Sequence, residues 1–366
     1  MVSVVLAGGG TAGHTSPLIA TAEQLRRLDP HVSLLCVGTP KGLEKRVIPE
    51  AGLELRLIPA VPLPRKPGRA LLSVPGRLLG AVRQARALLH EAHADVVVGF
   101  GGYVSMPVYL AAWSARIPVV LHEQNALPGV ANRVASHFAA AVLTSFPDTP
   151  LRSARQVGLP VRAAIAGLAE QGRASLRARA REHFGLRSDQ PVLLVSGGSS
   201  GARSLNTATC EARDELLAQG IQILHVLGLK NFHDDPAVTD PATGAGYHPL
   251  GYLDEMDLAY AAADLMLARS GAGTVVETAV VGLPAILVPL PIGNGEQARN
   301  ARPLVEAQAG IVVEDRELTG RRLVTEVVPL ITDAARLQAM GAAAQRVMPP
   351  GAAQRVARIV VEEARR

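Results

Sequence analysis

The sequence predicts two α/β domains, each built on a doubly wound parallel sheet. The chain has 366 residues, which is long for a single hydrophobic core. Apolar runs of strand length alternate with helix-length segments along most of it. A pattern of strand, glycine turn and helix occurs twice, beginning at Ser3 and again at Pro191. Each copy is typical of the start of a nucleotide-binding domain.

The predicted strands are short apolar runs that end in turn residues. In chain order they lie in SVVLAGGG, VSLLCVG, DVVVGFGGY and IPVVLHEQN, and then in PVLLVSGG, IQILHVLG, ADLMLARSG and LPAILVPLP. We therefore predict a first domain over residues 1–160 and a second over residues 161–347. The last helix, about residues 348–366, is expected to pack back on the first domain. Residues 157–186 combine Gly158 and Pro160 with a basic run, and we predict a linker and hinge there.

Composition excludes several classes of protein. Cys36 and Cys210 have no metal-ligand or disulfide spacing, so we expect two buried thiols in a reduced, cytosolic protein. No window approaches the roughly 18 to 20 apolar residues that a membrane span requires, and Met1 leads directly into a strand. We expect a protein that is neither secreted nor membrane-spanning.

The excess positive charge is concentrated in residues 61–90. This stretch holds six bases and no acid, within a chain of 37 Lys and Arg against 32 Asp and Glu. After Pro75 its apolar residues have helical spacing and are bordered by arginines. Such a helix can lie on an anionic membrane surface or pack on the core with a solvated basic face, and this segment alone leaves both open. Nucleic acid is not expected as a partner, because aromatic residues make up 3% of the chain and none lies in this stretch.

The first glycine turn, in VLAGGGTAGHTSP from Val5 to Pro17, has the spacing of a dinucleotide fingerprint. A nicotinamide-binding domain also needs an acid after its second strand, about 20 residues beyond the glycines. Here that strand ends in CVGTP, and no acid follows until Glu44. The turn instead predicts backbone N–H groups and a helix N-terminus that face an anion.

Three further glycine turns follow predicted strands, at residues 99–105, 197–201 and 269–274. Ligands of open α/β sheets bind outside the carboxyl ends of the strands, where all four turns are expected. Two domains that face one another across these edges would form a cleft for two phosphorylated substrates.

The motifs GGTAGHTSP, GGYVSMP, AAWSARIPVVLHEQN, VGLPVR, SGGSSGARSLN, GYLDEM, RSGAGTVVE and EQARNA occur in an order and approximate spacing that resemble the MurG family. This family consists of the N-acetylglucosaminyltransferases that complete lipid II, the membrane-bound precursor of peptidoglycan. The resemblance implies a GT-B fold of two facing Rossmann-like domains and no cofactor. It also implies transfer, with inversion, from UDP-N-acetylglucosamine to lipid-linked N-acetylmuramyl-pentapeptide diphosphate at the cytoplasmic face of the plasma membrane. A UDP-N-acetylglucosamine epimerase or hydrolase of the same fold, a nicotinamide-dependent oxidoreductase and a non-catalytic nucleotide-binding module are the alternatives.

The resemblance places the donor nucleotide mainly in the second domain. Ser199 and Arg162 would contact the UDP phosphates, and Glu277 would accept hydrogen bonds from the ribose hydroxyls. Without the resemblance, Glu277 would be interpreted as an acid in the first turn of a helix. No DxD sequence occurs in the chain, so no metal is expected to hold the diphosphate. The other implied donor contacts are Thr11, Ala12, Gly13, Asn125, Leu253, Ala272, Gly273, Thr274, Val275, Val276 and Gln297.

The acceptor and the membrane are implied to contact the first domain. His14, directly after the first glycine turn, is the leading candidate for the base that takes the proton of the muramyl 4-hydroxyl, and Glu123 is the rival. The implied acceptor contacts are Gly10, Gly101, Gly102, Tyr103 and Ser105. The implied membrane contacts are Leu71, Leu78, Leu79, Val82 and Trp113, and Trp113 favours the membrane interpretation of the basic helix.

Overall fold

A computed structural model describes residues 1–10, 12–62, 73–198, 200–233 and 236–366, without the side chain of Ala12. The chain forms two compact units. The first unit contains Met1–Arg162 together with Gly351–Arg366, and the second contains Ala163–Pro350.

The first unit is built on a parallel sheet that has seven strands within the described residues, in the order β3-β2-β1-β4-β5-β6-β7. Because β1 pairs with both β2 and β4, the strand order reverses beside it, as in a doubly wound sheet. The strands are β1 (Ser3–Ala7), β2 (Ser33–Gly38), β3 (Glu54–Leu57), β4 (Val96–Gly99), β5 (Val119–Glu123), β6 (Ala141–Thr144) and β7 (Ala154–Gln156).

Helices cover both faces of this sheet. Side chains alternate between the faces along a strand, so Val4 and Leu6 belong to one buried cluster, and Val5 and Ala7 belong to another. The helices are α1 (Ala12–Leu28), α2 (Glu44–Glu50), α3 (Val74–Glu91), α4 (Ser105–Ala115), α5 (Val130–Ala135) and the C-terminal α14 (Ala352–Ala364).

Helix α14 packs against the sheet of the first unit although it follows the whole second unit in the chain. Val356 and Val360 are fully buried in the same cluster as Val4 and Leu6. The Arg355 guanidinium also donates to the carbonyl oxygen of Val157, with Nη2 at 2.8 Å.

The second unit repeats this plan with an order of β10-β11-β9-β8-β12-β13-β14 among its described strands. The short β10 pairs antiparallel to β11, and the other pairings are parallel. The strands are β8 (Val192–Ser196), β9 (Gln222–Val226), β10 (Val238–Thr239), β11 (Gly246–Leu250), β12 (Leu265–Ala268), β13 (Ala285–Leu287) and β14 (Gly310–Val312). The helices are α6 (Ala163–Gln171), α7 (Arg177–His183), α8 (Arg203–Ala218), α9 (Met256–Ala262), α10 (Ala272–Val280), α11 (Glu296–Glu306), α12 (Gly320–Ile331) and α13 (Ala334–Val347).

The prediction of two doubly wound α/β domains is confirmed, and each apolar run quoted for a strand contains one. The linker prediction is wrong for much of residues 157–186, because α6 and α7 are part of the second unit. Ile165 and Leu168 are buried. Arg181 is 4% exposed and pairs with Asp264 at 2.9 Å, and Arg177 pairs with the same carboxylate. The basic run is therefore held by a carboxylate at the start of β12, which its composition does not reveal.

The basic helix α3 directs much of its apolar surface to the core of the first unit. Ala81, Ala85 and Leu89 are buried. Leu78 and Val82 are half-buried against core clusters, whereas Leu79 is 51% exposed. Leu71 lies outside the described residues. Among the described helices, none combines the length and the hydropathy that crossing a bilayer would require.

The expectation of two buried thiols holds for Cys36 alone. Cys36 is buried in β2, but Cys210 is exposed on α8. Cys210 lies on the solvent-facing side of this amphipathic helix, so the prediction that it is buried is wrong.

Candidate functional site

The two glycine turns of the first unit meet at the carboxyl ends of β1 and β4. A Cβ atom at Gly102 would lie 2.7 Å from the carbonyl oxygen of Gly9, so only glycine allows the turns to approach this closely. A Cβ atom at Gly101 would lie 3.6 Å from Nε2 of His14 and 3.3 Å from Nδ2 of Asn132. The fold thus brings together both turns, the imidazole of His14 and the start of α5.

His14 is half-buried in the first turn of α1. Burial lowers the pKa of its imidazole, and the negative charge of Glu44 partly opposes this effect. The net pKa is below the ordinary value, so the ring is neutral near pH 7. A neutral imidazole is the form that can accept a proton.

Glu123, the rival base, is 3% exposed and bound on both oxygens. Its Oε1 accepts from the Asn125 N–H at 3.0 Å, and its Oε2 accepts from the Gly129 N–H at 3.0 Å and from Nδ2 of Asn132 at 2.9 Å. Burial raises the pKa of this carboxyl although these hydrogen bonds act in the opposite direction. Asn132 in turn accepts a hydrogen bond of 2.8 Å from the Tyr109 hydroxyl. Glu123 therefore anchors the Asn132 amide, which approaches the same glycine, Gly101, as the His14 ring does.

His122, which precedes Glu123 in β5, is fully buried. Its Nε2 lies 2.8 Å from the carbonyl oxygen of Gly158, so Nε2 carries the proton and donates. Its Nδ1 is buried and has no hydrogen-bond partner among the residues that the structure describes. Burial lowers the pKa of His122 to about 4, so this ring is neutral at physiological pH.

The acceptor residues predicted from the resemblance differ in accessibility. Tyr103 is 52% exposed, but Ser105 is fully buried. The Ser105 hydroxyl donates to the Gly101 carbonyl oxygen at 2.6 Å. The Gly10 N–H donates to Oε2 of Glu44 at 2.8 Å, so that donor is already occupied.

In the second unit, the glycine turn after β8 packs against the turn after β9. The Asn231 amide donates to the carbonyl oxygens of Ser200 at 3.1 Å and Leu227 at 3.0 Å. A Cβ atom at Gly201 would overlap the Leu227 carbonyl. This packing fixes the turn that leads into α8. Ser199 itself, like Thr11 in the first unit, lies outside the described residues.

Helix α10 carries six of the fourteen predicted donor contacts, more than any other element. Ala272, Val275 and Val276 are buried, so their side chains belong to the core, whereas Glu277 is half-buried. Glu277 is the sixth residue of α10 and lies beyond its first turn, which removes the interpretation as an acid that stabilises the helix dipole. Its Oε2 accepts a hydrogen bond of 2.9 Å from the buried Tyr260 hydroxyl.

The remaining predicted donor residues differ in exposure. Oε1 of Gln297 accepts from the Leu290 N–H at 3.0 Å, which orients the amide. Gly13 and Arg162 are exposed, and Asn125, Leu253, Gly273, Thr274 and Gln297 are half-buried. Within the described part of the chain, no three His, Cys, Asp or Glu side chains form a group that could hold a metal ion.

Sequence reasoning missed several polar residues of these sites. Glu44, Tyr109 and Asn132 support the glycine turns of the first unit, and Tyr260 orients Glu277 in the second. Each acts through a contact between segments far apart in sequence, so no local spacing indicates it.

The N-terminal domain model of glycosyltransferase family 28 matches residues 4–144, and the C-terminal domain model of that family matches residues 192–356. The chain belongs to glycosyltransferase family 28. Two relatives in this family, from a Nocardioides species and from Cutibacterium acnes, are named UDP-N-acetylglucosamine–N-acetylmuramyl-(pentapeptide) pyrophosphoryl-undecaprenol N-acetylglucosamine transferase. The first is 58% identical over 98% of this chain and 97% of the relative. The second is 59% identical over 100% of this chain and 98% of the relative.

Solved structures share the fold over nearly the whole chain. The crystal structure of MurG from Acinetobacter baumannii has a TM-score of 0.78 and 29% identity, and covers 99% of this chain and 100% of that one. A UDP-GlcNAc 2-epimerase from Neisseria meningitidis, solved with bound UDP-GlcNAc, has a TM-score of 0.65 at 13% identity over 99% of each chain. The GT-B fold predicted by the resemblance is therefore confirmed, and likeness to the epimerase extends to the fold alone.

Proposed function

We propose that this family 28 chain transfers N-acetylglucosamine from UDP-N-acetylglucosamine to the 4-hydroxyl of lipid-linked N-acetylmuramyl-pentapeptide diphosphate. The observation that carries the proposal is identity of 58% and 59%, over essentially full length, to two transferases named for this reaction. The product is the disaccharide-linked lipid from which peptidoglycan is made.

The second unit supplies the groups for the donor nucleotide. Glu277, held by Tyr260, accepts hydrogen bonds from the ribose hydroxyls. Gln297 and Leu253 contact the sugar and the uracil, respectively. Ser199 and the N-terminus of α8 face the diphosphate. Arg162, the last residue of the first unit before the chain enters the second, is a further cation for it. Backbone dipoles and a guanidinium then stabilise the charge that develops on the leaving UDP, without a metal ion.

The first unit supplies the base. His14 accepts the proton of the muramyl 4-hydroxyl as that oxygen forms a bond to the anomeric carbon. The bond from this carbon to the UDP oxygen breaks on the opposite face, the electron pair leaves with UDP, and the configuration inverts. The lowered pKa of His14 keeps it in the accepting form. We assign Glu123 to positioning, because its oxygens already accept hydrogen bonds from Asn125, Gly129 and Asn132.

The turn that exposes Tyr103 is the proposed contact surface for the acceptor. Gly101 and Gly102 belong to this turn, and the buried Ser105 hydroxyl stabilises it by donating a hydrogen bond to the Gly101 carbonyl oxygen. We assign Ser105 to positioning because its side chain is fully buried.

The first unit also carries the proposed membrane contact. Leu79 is 51% exposed and Trp113 is 61% exposed, and the Trp113 ring packs 5.7 Å from the Phe138 ring. Arg77, Arg83 and Arg86 are exposed on α3. Exposed apolar side chains on α3 and α4, together with exposed cations on α3, suit the anionic surface of the cytoplasmic leaflet.

The experiment that tests the proposal is incubation of the protein with labelled UDP-N-acetylglucosamine and a short-chain analogue of the lipid-linked acceptor. Release of UDP with a disaccharide product is expected, and it should persist with a chelator of divalent metals. Free N-acetylglucosamine or its 2-epimer without disaccharide would instead indicate a hydrolase or an epimerase.

A further inference from the structure

We propose that Glu44 is a positioning residue of the transfer reaction, whose buried carboxylate holds the first glycine turn in the conformation that presents His14. This inference rests on the proposed function, because it requires His14 to act on the acceptor. It concerns an acid that the sequence resemblance did not single out.

The Glu44 carboxylate is completely buried and bound on both oxygens. Oε1 accepts from the Thr39 N–H at 2.8 Å and from the Thr39 hydroxyl at 2.7 Å. Oε2 accepts from the Gly10 N–H at 2.8 Å. These bonds lower the pKa of the carboxyl although burial alone would raise it, so the group is charged at neutral pH. A buried charge is tolerated only where donors surround it in this way.

Three glycines make room for this carboxylate. A Cβ atom at Gly9 or Gly42 would overlap the carboxyl group of Glu44, and one at Gly38 would overlap its side-chain carbons. None of these three described glycines has a positive φ, so their backbone conformations are open to other residues. What requires glycine at these positions is therefore the volume of the Glu44 side chain. Gly9 belongs to the turn that resembles a phosphate-binding fingerprint. In this structure the space left by its missing side chain is occupied by the carboxylate of Glu44.

The anchored turn leads directly to the catalytic candidate. Gly10 precedes the start of α1, and His14 lies in the first turn of that helix. A Cβ atom at Gly102 would meet the Gly9 carbonyl oxygen, and one at Gly101 would reach the His14 ring, so both parts of the first turn pack closely on the second turn. A shift of the first turn would change this packing. The Gly10 N–H already donates to the Glu44 carboxylate, and the negative charge of this carboxylate repels other anions. A phosphate is therefore not expected to bind at that N–H. We therefore assign the Gly10 N–H to Glu44 and not to the acceptor diphosphate.

The decisive experiment compares turnover with donor affinity in two variants, Glu44→Gln and Gly42→Ala. A glutamine keeps the volume, but its NH2 must face either the Gly10 N–H or the Thr39 N–H, which are both donors. The Gly42→Ala change leaves the carboxylate in the chain but displaces it from its cradle. We expect kcat to fall on the order of 10²-fold in each, because misplacement of a catalytic group by about 1 Å has such an effect. Affinity for UDP, measured by calorimetry, should stay within about twofold of the original protein.

Matched controls separate this role from a general effect on folding. Glu50→Gln removes an exposed carboxylate of the same helix, and Gly167→Ala adds a methyl group that meets only an ordinary contact. Both should keep the original kcat. In the double variant Glu44→Ala/Gly42→Ala the methyl group no longer meets a carboxylate, so kcat should be no lower than in Glu44→Ala alone.

Each outcome decides the proposal. Unchanged kcat in Glu44→Gln and Gly42→Ala would overturn it. So would a loss of kcat in the double variant equal to the product of the losses in Glu44→Ala and Gly42→Ala. A parallel loss of kcat, UDP affinity and melting temperature would assign Glu44 to stability alone. If Glu44→Gln does not fold, Gly42→Ala and the double variant still give the answer. Failure of the proposed function looks different, because the original protein would then form no disaccharide.

Discussion

The hydroxyl of Tyr260 donates a 2.9 Å hydrogen bond to Oε2 of Glu277. Tyr260 is 1% exposed and Glu277 is half-buried, so a rigid core side chain orients a carboxylate at the surface of the second unit. A carboxylate fixed in this way can accept hydrogen bonds from neighbouring ribose hydroxyls with little further loss of side-chain entropy.

Removal of this carboxylate should weaken nucleotide binding. We expect Glu277→Ala to reduce UDP affinity about 10- to 100-fold, since a hydrogen bond to a charged group contributes about 1.5–3 kcal/mol. Tyr260→Phe should have a smaller effect in the same direction, because it releases the carboxylate without deleting it. Calorimetry with UDP and 2′-deoxy-UDP checks both. Loss of discrimination between the two ligands in Glu277→Ala is expected, and unchanged discrimination would remove Glu277 from the ribose site.

Replacement of the proposed base should stop turnover without affecting the donor. We expect His14→Ala to lower kcat by about 10²- to 10⁴-fold, the usual contribution of general base catalysis, while UDP affinity is retained. His31→Ala, which changes an exposed histidine after the same helix, is the control. Near-normal turnover of His14→Ala would contradict the assignment and return the base role to another group.

The pH dependence of kcat/KM should report the lowered pKa of His14. The base is active when neutral, so activity is retained above its pKa and is lost as the pH falls through it. Because burial lowers this pKa from 6.5, the acidic limb should lie below pH 6.5 and be absent from the residual activity of His14→Ala. An acidic limb above pH 6.5 would show that another group titrates.

Binding to anionic vesicles should depend on the exposed side of α3. Replacement of Arg77, Arg83 and Arg86 by Gln should weaken binding by about 3 kcal/mol in total at low salt, since each cation near the surface contributes about 1 kcal/mol. Trp113→Ala should weaken it further through loss of apolar contact. Vesicle sedimentation at two salt concentrations measures both effects.

A charge-matched variant of the second unit controls for net charge. Arg302, Arg321 and Arg336 are exposed there, and their replacement by Gln should leave vesicle binding nearly unchanged. Equal losses in both triple variants would mean that binding follows total charge and not this surface.

The two thiols should react at very different rates. Burial raises the pKa of Cys36 to about 12, whereas Cys210 is exposed. The thiolate is the reactive form, so near pH 8 a thiol reagent should modify Cys210 quickly and Cys36 only after unfolding. Cys210→Ser is the control and should remove the fast phase. A fast reaction at Cys36 would contradict the packing of β2.

Local patterns predict eight of the fourteen described strands and part of the site, but they do not indicate β3, β6, β7, β10, β11 and β14. Continuous runs such as VVLA and VLLV can be buried on both faces, which is why they indicate parallel strands without knowledge of their neighbours. The glycine turns follow from the same patterns, and they place His14 at a helix start. The ribose role of Glu277 comes from the resemblance, since the residue alone would be interpreted as a helix-stabilising acid.

Contacts between distant segments were beyond the reach of these patterns. The basic run at residues 173–181 has the composition of a linker, and the pairing of Arg181 with Asp264, 83 residues away, makes it part of the second unit. The arginine pattern of α3 did not say which apolar residues are buried, because burial depends on the sheet beneath the helix.

Eight of the described strands, the two-domain plan and the family follow from the sequence alone, because they depend on residue type, local period and the order of motifs. The contacts of Glu44 with Gly9 and Gly42, of Tyr260 with Glu277, and of both Glu123 oxygens become visible only in the folded chain. The physical reason is that a hydrogen bond or a steric fit requires two groups within a few ångströms. Folding brings together residues that are far apart in the chain, and their sequence spacing does not indicate which of them will meet.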